Sequence, residues 1–458
     1  MKRILAVAKQ TSLGAFRFKA VFVVALLLLL SVLILPFIIQ HNGTAKMFAQ
    51  VMLTYNLTVI TGLIGFTTLW MACGSLSGEI DAGQLQMVVV KPIARWQIFL
   101  GKWIGINFIS GLLLVVASGS VLGLLYWKAR QLEPTQQEIL HKEVLVSRGS
   151  LQEALPDLDR DVTAVMQQRI EQANGQSFDV EAVEESVRVK LLANHQTVAP
   201  NYRRIWDLEL GPRRVFLKDK PMSLQVKFFA ASVSDEQPIN TVWVIHDKQT
   251  GLQHRFEKQF SSGVLNEFEI PANCYSKEGT LTVECENRDR TTILFPLDDG
   301  LTLMYPEGGF LMNYFRGLVI IFCWMALLAA VGLAASSILS FSVATLLSLT
   351  ILLVGVSSGT FAEAIQDDTV WGIDEDSGER ESPILDQLFL PVFKAVSFVV
   401  TPVNAYAPIT LVASGRAVRW ESTAMALVQI IVLGAGLFGA LGAYLFSRRQ
   451  LGSQMSTR

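Results

Sequence analysis

Charged residues are scarce in this sequence. Only 17% of the 458 residues are Asp, Glu, Lys or Arg, whereas 51% are hydrophobic. Soluble domains carry about 25% charged residues, so this chain is too apolar to be one. The formal net charge of -2 provides no excess of basic residues for a phosphate backbone. The composition therefore predicts a membrane protein and gives no indication of nucleic acid as a partner.

Cysteine and histidine are also rare. Four cysteines are too few for a disulfide scaffold. Cys274 and Cys285 lie in a polar region, where they either form a disulfide, if that region faces an oxidising compartment, or remain two free thiols. The sequence leaves both alternatives open, because it does not show how far apart their Cα atoms are. The five histidines form no pair at the spacing typical of zinc ligands, so we expect neither a metal site nor a cofactor.

Motifs for catalysis are missing as well. The sequence contains no G-x-x-x-x-G-K-[ST] phosphate loop, and its Gly101-Lys102 is followed by Trp. Residues 355–359, GVSSG, match the G-x-S-x-G pattern of a nucleophile elbow. They end an apolar run, however, so a packing role in a membrane helix is favoured. We therefore expect that the chain is not an enzyme and has no ATPase site of its own.

Long uncharged runs are the most prominent feature that the sequence does have. A helix needs about 20 apolar residues to cross a bilayer, and one run is long enough for two helices. The first run is too long for a signal peptide and lacks a cleavage site. We therefore predict an α-helical membrane protein with six spans. The runs are residues 20–39, 47–78, 103–127, 317–362 (two spans) and 422–447.

A polar insert separates the third span from the fourth. Its first part, residues 128–200, has helical spacing and predicts a helical hairpin. Its second part, residues 202–305, alternates apolar and polar residues and predicts a β-sandwich. The predicted domains are an N-terminal membrane part (1–127), an extracytoplasmic α+β domain (128–307) and a C-terminal membrane part (308–458). The last part includes an acidic external loop (363–386) and a re-entrant or interfacial segment (391–410).

The distribution of charge predicts the orientation. Residues 1–19, 74–102 and 447–458 together hold 11 basic and 2 acidic residues. An even number of spans places all three segments on one side, which the excess of Lys and Arg identifies as the cytoplasm. Both termini are then cytoplasmic, the start of the chain is a short helix on the membrane face, and residues 128–307 face outward.

One of these cytoplasmic segments, residues 74–102, has a distinctive composition. It begins with acidic residues, continues with an apolar patch at 85–90 and ends with basic residues. An ordinary loop explains the basic residues as orientation signals, but it does not explain how the Glu, Gly, Pro, Arg and Gly-Lys positions are spaced. Those positions are Glu79, Gly83, Leu85, Pro92, Ile93, Arg95, Gly101 and Lys102.

This spacing resembles the loop between the second and third spans of type-2 ATP-binding-cassette (ABC) permease subunits, particularly those of the six-span bacterial group. Two positions depart from that pattern. Gly78 stands where the family usually has a basic residue, and Gln84 stands where it usually has Thr. The resemblance rests on residues 74–102 and on the layout of the spans, and it does not cover the insert at 128–307.

The resemblance implies a permease subunit of an ABC exporter in the bacterial inner membrane. A separate ATPase subunit would bind ATP and dock on the 74–102 loop, and the permease would pair with a second copy or a paralogue. The coupling residues implied are Glu79, Gly83, Leu85, Pro92, Arg95, Gly101 and Lys102, with Glu79 and Arg95 as polar contacts. The nearly charge-free spans also disfavour a proton-coupled transporter.

A second interpretation comes from the insert. Residues 128–307 form a domain that compact permeases of this type lack. The chain would then be a membrane anchor or mechanotransmitter that moves no substrate, and its outer domain would bind an envelope protein or glycan.

Overall fold

The structure, a computed structural model of the chain, divides into two units. The membrane unit combines Met1–Ser147 with Gly309–Arg458, and the inserted unit is Arg148–Gly308. The residues that the structure describes are 1–17, 19–38, 45–81, 93–143, 145–153, 158–172, 180–230, 238–246, 251, 253–297, 299–356 and 406–449.

The described N-terminal part of the membrane unit is built from helices. The two longest contain 37 and 35 residues. At about 1.5 Å per residue, each exceeds the roughly 30 Å hydrocarbon core of a bilayer and has room to extend beyond it. The helices are α1 (Lys2–Arg17), α2 (Lys19–Ile38), α3 (Ala45–Asp81), α4 (Arg95–Ala129) and α5 (Pro134–Glu143).

Two helices and most of the strands belong to the inserted unit. The helices are α6 (Leu158–Gln172) and α7 (Val180–Gln196), which pack together through Val162, Met166 and Val187. The strands are β1 (Val146–Gln152), β2 (Thr197–Val198), β3 (Arg203–Glu209), β4 (Met222–Val226), β5 (Phe229–Ala230), β6 (Ile239–His246), β7 (Gln253–Phe260), β8 (Asn266–Ile270), β9 (Thr280–Asn287), β10 (Ile293–Leu294) and β11 (Leu301–Gly309).

The strands form two four-stranded sheets and one small sheet. The orders are β1-β11-β4-β8, β3-β9-β6-β7 and β2-β10-β5. Alternating side chains of both large sheets share one core. In it the rings of Trp206 and Trp243 stack with their centroids 5.9 Å apart, and the ring centroid of Trp243 lies 5.8 Å from that of Phe268 in the other sheet. This arrangement is that of a β-sandwich.

The predicted helical segment 128–200 needs a correction. Strand β1 lies between α5 and α6 and pairs with β11 at the other end of the unit. Residues 146–152, VSRGSLQ, form a strand because of this pairing with a distant segment, and no local sequence pattern predicts it. The sandwich also continues beyond residue 305, because β11 ends at Gly309.

The C-terminal part of the membrane unit is helical where it is described. Helix α11 contains a π-helical segment, Leu427–Ala435, and α10 begins at Pro408, whose missing N–H suits the first turn of a helix. The helices are α8 (Phe310–Ser336), α9 (Phe341–Val356), α10 (Pro408–Ala413) and α11 (Trp420–Arg448). The predicted acidic loop, 363–386, and most of the predicted re-entrant segment, 391–410, lie outside the described residues.

The structure confirms a helical membrane portion with an inserted β-rich unit, but it does not confirm six spans. In the described ranges, four helices are long and apolar enough to cross a membrane: Met47–Asp81, α4, α8 and α11. The other two predicted spans correspond to shorter apolar helices, Val23–Val32 within α2 and Phe341–Thr350 within α9. Spans in α2 and α9 therefore stay a prediction.

Candidate coupling site of the membrane unit

The structure describes both ends of the predicted coupling loop. Helix α3 carries Glu79 in its last turn, and α4 begins at Arg95. Residues 82–92 lie outside the described residues, and with them Gly83, Leu85, Pro92 and the apolar patch. The site is therefore built from the last turns of α3, the first turns of α4 and the helices that pack against them.

A buried ion pair joins the two ends of the loop. Lys102 Nζ lies 2.7 Å from Glu79 Oε1 and donates a second hydrogen bond to the Ser75 carbonyl at 2.6 Å. The Lys102 side chain is only 3% exposed, whereas that of Glu79 is 33% exposed. A buried ammonium group needs both a counter-charge and hydrogen-bond acceptors, and α3 supplies both. The pair therefore fixes α4 against α3 next to the loop.

Arg95 holds the other end of the loop to the end of α11. Its Nη1 donates to the carbonyls of Phe446, Ser447 and Arg449 at 2.8, 2.7 and 2.9 Å. The last carbonyls of a helix have no partner within the helix and carry the negative end of its dipole. A guanidinium group donates hydrogen bonds to these carbonyls, and its positive charge interacts favourably with the negative end of the dipole. Arg95 thus serves as a C-terminal cap for α11.

A second arginine connects α11 with α8. Arg449 Nη1 donates to the carbonyl of Ser337, directly after the last residue of α8, at 3.0 Å. The described ends of α3, α4, α8 and α11 are thus linked by side-chain hydrogen bonds on one side of the unit. A movement of the loop would reach all four helices through these contacts.

An apolar cluster lies beneath these polar contacts. Phe446 of α11 is fully buried, and the ring of Phe99 occupies the space beside Gly442, where an added Cβ would lie 2.7 Å from the ring and 2.8 Å from Ala334 Cα. Only glycine permits this approach of α4, α8 and α11. The buried members of the cluster are Ala72, Leu76, Ile98, Phe99, Ile106, Ala329, Leu333 and Phe446.

The N-terminal helix is the second support of α4. A Cβ at Gly101 would lie 2.7 Å from Val7 Cβ, and one at Gly105 would lie 2.6 Å from the Ala8 carbonyl oxygen. Ser12 Oγ also donates to the Gly105 carbonyl at 3.2 Å. Gly101 of the predicted motif therefore lies where α1 crosses α4, while its neighbour Lys102 faces α3.

We expect Gly105→Ala to destabilise the protein, because its Cβ meets backbone atoms of α1 and forces the two helices apart. Overpacking of this kind typically costs about 1–3 kcal/mol, which predicts a lower melting temperature in detergent. Gly119→Ala is the matched control on the same helix, since nothing lies within 4 Å of its added Cβ. Equal melting temperatures for the two variants would contradict the close packing of α1 on α4.

The spacing of residues 74–102 predicts a coupling segment, which stays a prediction, but it does not show the internal partners of the side chains in that segment. Glu79 and Arg95 were assigned to contacts with an ATPase, which stay a prediction, whereas in the structure they bind Lys102 and the end of α11. Lys102 directly precedes the uncharged run 103–127. A cation at such a position could have indicated a buried ion pair. Nothing local connects Arg95 with residues 446–449, more than three hundred positions later.

The two cysteines of the insert belong to the other unit. Cys274 and Cys285 are both buried free thiols, the second of the two alternatives that the sequence left open. Burial in the sandwich core raises the pKa of the Cys285 thiol. A raised pKa disfavours the reactive thiolate, so this cysteine acts as a small core residue.

Comparison with known proteins gives a match for the N-terminal part of the chain. Residues 5–141 match the family described as ABC-2 family transporter protein. A segment of 74 residues is 30% identical to the uncharacterized protein YhcI of Bacillus subtilis (strain 168) and covers 16% of this chain and 23% of that protein. The alignment thus spans less than a quarter of that relative. No solved structure matches the chain. The matched region contains most of α1 together with α2, α3, α4 and the residues between them, so this part of the chain is similar to ABC-2 family transporter proteins.

Proposed function

We propose that the chain is the membrane-spanning subunit of an ABC exporter, driven by a separate ATPase that docks on the cytoplasmic 74–102 loop. The ABC-2 family match supports the permease role and implies the ATPase partner. The observation that carries the coupling role is the attachment of both loop ends to the helix bundle, through the Glu79–Lys102 pair and through Arg95.

These attachments suit the transmission of force. A loop that only joined two helices would need no buried charge, because a buried pair is seldom more stabilising than apolar packing. Here the pair and the arginine cap fix how α3, α4 and α11 are placed at the loop. Movement of a docked ATPase would therefore shift these helices together and change access to a path along the permease.

The exporter proposal includes an orientation and a pairing. The basic excess of residues 1–19, 74–102 and 447–458 supports cytoplasmic termini in a bacterial inner membrane, with the inserted unit outside. Helix α11 is the least buried of the four candidate spans. Its exposed apolar side chains, among them Val432, Leu433 and Leu437, provide a surface for a second permease copy or for lipid.

The apolar character of the spans favours an apolar or amphipathic substrate. Within the described spans, ionisable side chains such as Lys102 and Arg316 are engaged in structural contacts. Arg316, near the start of α8, donates to the Val418 carbonyl at 2.5 Å and lies 5.1 Å from the ring centre of Trp420. Such contacts join helix ends and provide no ion pathway.

A second function, mechanotransmission without transport, is favoured by the inserted unit. Its sandwich has its own aromatic core and is large enough to act on an envelope protein or glycan. ATP-driven movement of the membrane unit would then change how that unit engages its partner, and no substrate would cross.

Reconstitution with an ABC ATPase distinguishes the two functions. For an exporter we expect an amphipathic substrate to raise ATP hydrolysis several-fold in proteoliposomes and to accumulate on the side opposite the ATPase. A Glu-to-Gln change at the catalytic base of the ATPase is the control and should abolish both effects. ATP hydrolysis that responds to an added envelope component, without movement of any substrate, would instead support mechanotransmission.

A further inference from the structure

A surface of the inserted unit combines two exposed apolar side chains with basic neighbours. It lies on a 3-10 helix, Gly211–Leu217, in which Val215 is 71% exposed and Phe216 is 74% exposed. Among the described large apolar residues of this unit, these two are the most exposed. Exposed apolar residues are ordinary, and Val264 and Leu265 form another adjacent pair in this unit. What distinguishes Val215 and Phe216 is the basic charge beside them.

The backbone that displays the pair is firmly held. Leu217 is 1% exposed and belongs to the sandwich core. Asp219 and Asn273 exchange two hydrogen bonds, at 3.0 and 2.7 Å, and Tyr275 Oη donates to the Arg214 carbonyl at 3.1 Å. Because these contacts fix the segment on both sides, Val215 and Phe216 point outward as part of the folded structure.

The charge around the pair is strongly positive. Residues 213–220 read RRVFLKDK, with four basic side chains and one acid, and Asp219 is already bonded to Asn273. The adjacent turn adds Lys277 and Glu278, so five basic and two acidic residues give a local charge of +3. Lys218 and Lys220 are exposed next to the apolar pair.

We propose that this surface, named the VF surface and consisting of Val215, Phe216, Lys218 and Lys220, inserts into the headgroup region of an anionic bilayer leaflet. The apolar side chains leave water there while the ammonium groups stay beside lipid phosphates, the division of roles found in segments that lie in a membrane interface. Anionic headgroups complement the basic side chains of this surface. The proposal holds whether or not the chain exports a substrate.

The test uses the full-length protein in nanodiscs. Phe216→Cys is labelled with an environment-sensitive fluorophore, while the four native thiols are buried and unlabelled wild-type protein reports any background. In phosphatidylglycerol discs we expect a blue-shifted emission that nitroxide lipids quench, and a smaller change in phosphatidylcholine discs. Val264→Cys is the matched control, because Val264 is 54% exposed in a turn without this basic cluster, and its label should stay in water.

The lysines provide an independent measurement. In the Phe216→Cys background, Lys218→Gln and Lys220→Gln should each lower the ratio of inserted to free label about fivefold at physiological salt, without changing the melting temperature. Quenching no greater at position 216 than at 264 would overturn the proposal. So would a blue-shifted label that nitroxide lipids do not quench, because a protein surface would then cover it.

Discussion

Glu79→Gln should destabilise this protein by up to about 3 kcal/mol, the lower end of the usual cost of breaking a buried ion pair from one side, because Glu79 is one-third exposed. The reason is the ammonium group that remains. Lys102 Nζ is almost fully enclosed, and its remaining acceptors would be neutral, the Ser75 carbonyl and the amide oxygen of the substituted side chain. Its charge would be left without the carboxylate that compensates its burial.

The double variant Glu79→Gln/Lys102→Met tests whether the uncompensated lysine charge causes this destabilisation. It removes both charges and leaves an apolar side chain of similar length in the apolar surroundings of α3 and α4. Replacing a buried pair by apolar residues is often neutral or stabilising, so the double variant should melt close to wild type or above it. Lys102→Met alone should be milder than Glu79→Gln, because Glu79 is partly exposed and retains water.

Thermal unfolding in detergent at constant pH and salt measures these differences. Asp81→Asn is the matched control, since Asp81 is an exposed acid two residues beyond Glu79 on the same helix, and it should change the melting temperature little. A double variant as unstable as Glu79→Gln would contradict this account, because the missing carboxylate would then matter for a reason other than the lysine charge.

The sequence predicted those features of the fold that arise from local patterns. Uncharged runs predict α3, α4, α8 and α11, since a helix satisfies the backbone groups of a continuous apolar run within the run itself. Period-two alternation likewise predicts β6 (Ile239–His246) and β9 (Thr280–Asn287), which pair as expected of a sandwich. In these segments the spacing of apolar residues is sufficient to determine the element.

Features that depend on contacts between distant residues could not be predicted from local sequence patterns. Residues 146–152 form a strand because β11 (Leu301–Gly309) lies beside them. Gly101 and Gly105 look like a small-residue pair of any span, and only the fold shows that α1 occupies the space above them. The partners of Arg95 are backbone carbonyls, which every residue has, so no residue type marks their positions.

The same limit applies to the candidate site. The spacing of residues 74–102 predicts a coupling segment with Glu79 and Arg95 as external contacts, because the sequence shows no internal partner for them. The structure provides internal partners for Glu79, Lys102 and Arg95. This separates two roles within one loop. The described ends position the helices, and the apolar patch at 85–90 remains the predicted seat for the ATPase.

These two roles predict different defects. Arg95→Ala should leave the ATPase bound but reduce substrate-stimulated hydrolysis at least tenfold, because the guanidinium group that ties the loop to α11 is gone. A hydrogen bond from a charged group is worth about 1.5–3 kcal/mol, and the two hydrogens of Arg95 Nη1 are shared among the carbonyls of residues 446, 447 and 449. Arg95→Lys should recover only part of the loss, since an ammonium group does not reproduce the planar guanidinium fork.

Leu85→Asp should have the opposite effect. It places a charge in the apolar patch, so the ATPase should no longer be retained in a detergent pull-down, while the melting temperature of the permease changes little. Arg448→Ala is the control for Arg95. Arg448 lies near the same helix end but is exposed and stacks on Tyr444 at 4.8 Å, so its removal should alter neither association nor hydrolysis.

The decisive experiment follows association and hydrolysis in parallel for wild type, Arg95→Ala, Leu85→Asp and Arg448→Ala. Release of the ATPase by Arg95→Ala, with Leu85→Asp still bound, would place the ATPase contact at the arginine and remove the positioning role assigned to it. If Arg95→Ala and Leu85→Asp both retained full association and normal stimulated turnover, the 74–102 loop would not be the coupling element. The exporter proposal would then lose the physical link between ATP hydrolysis and the movement of α3, α4 and α11.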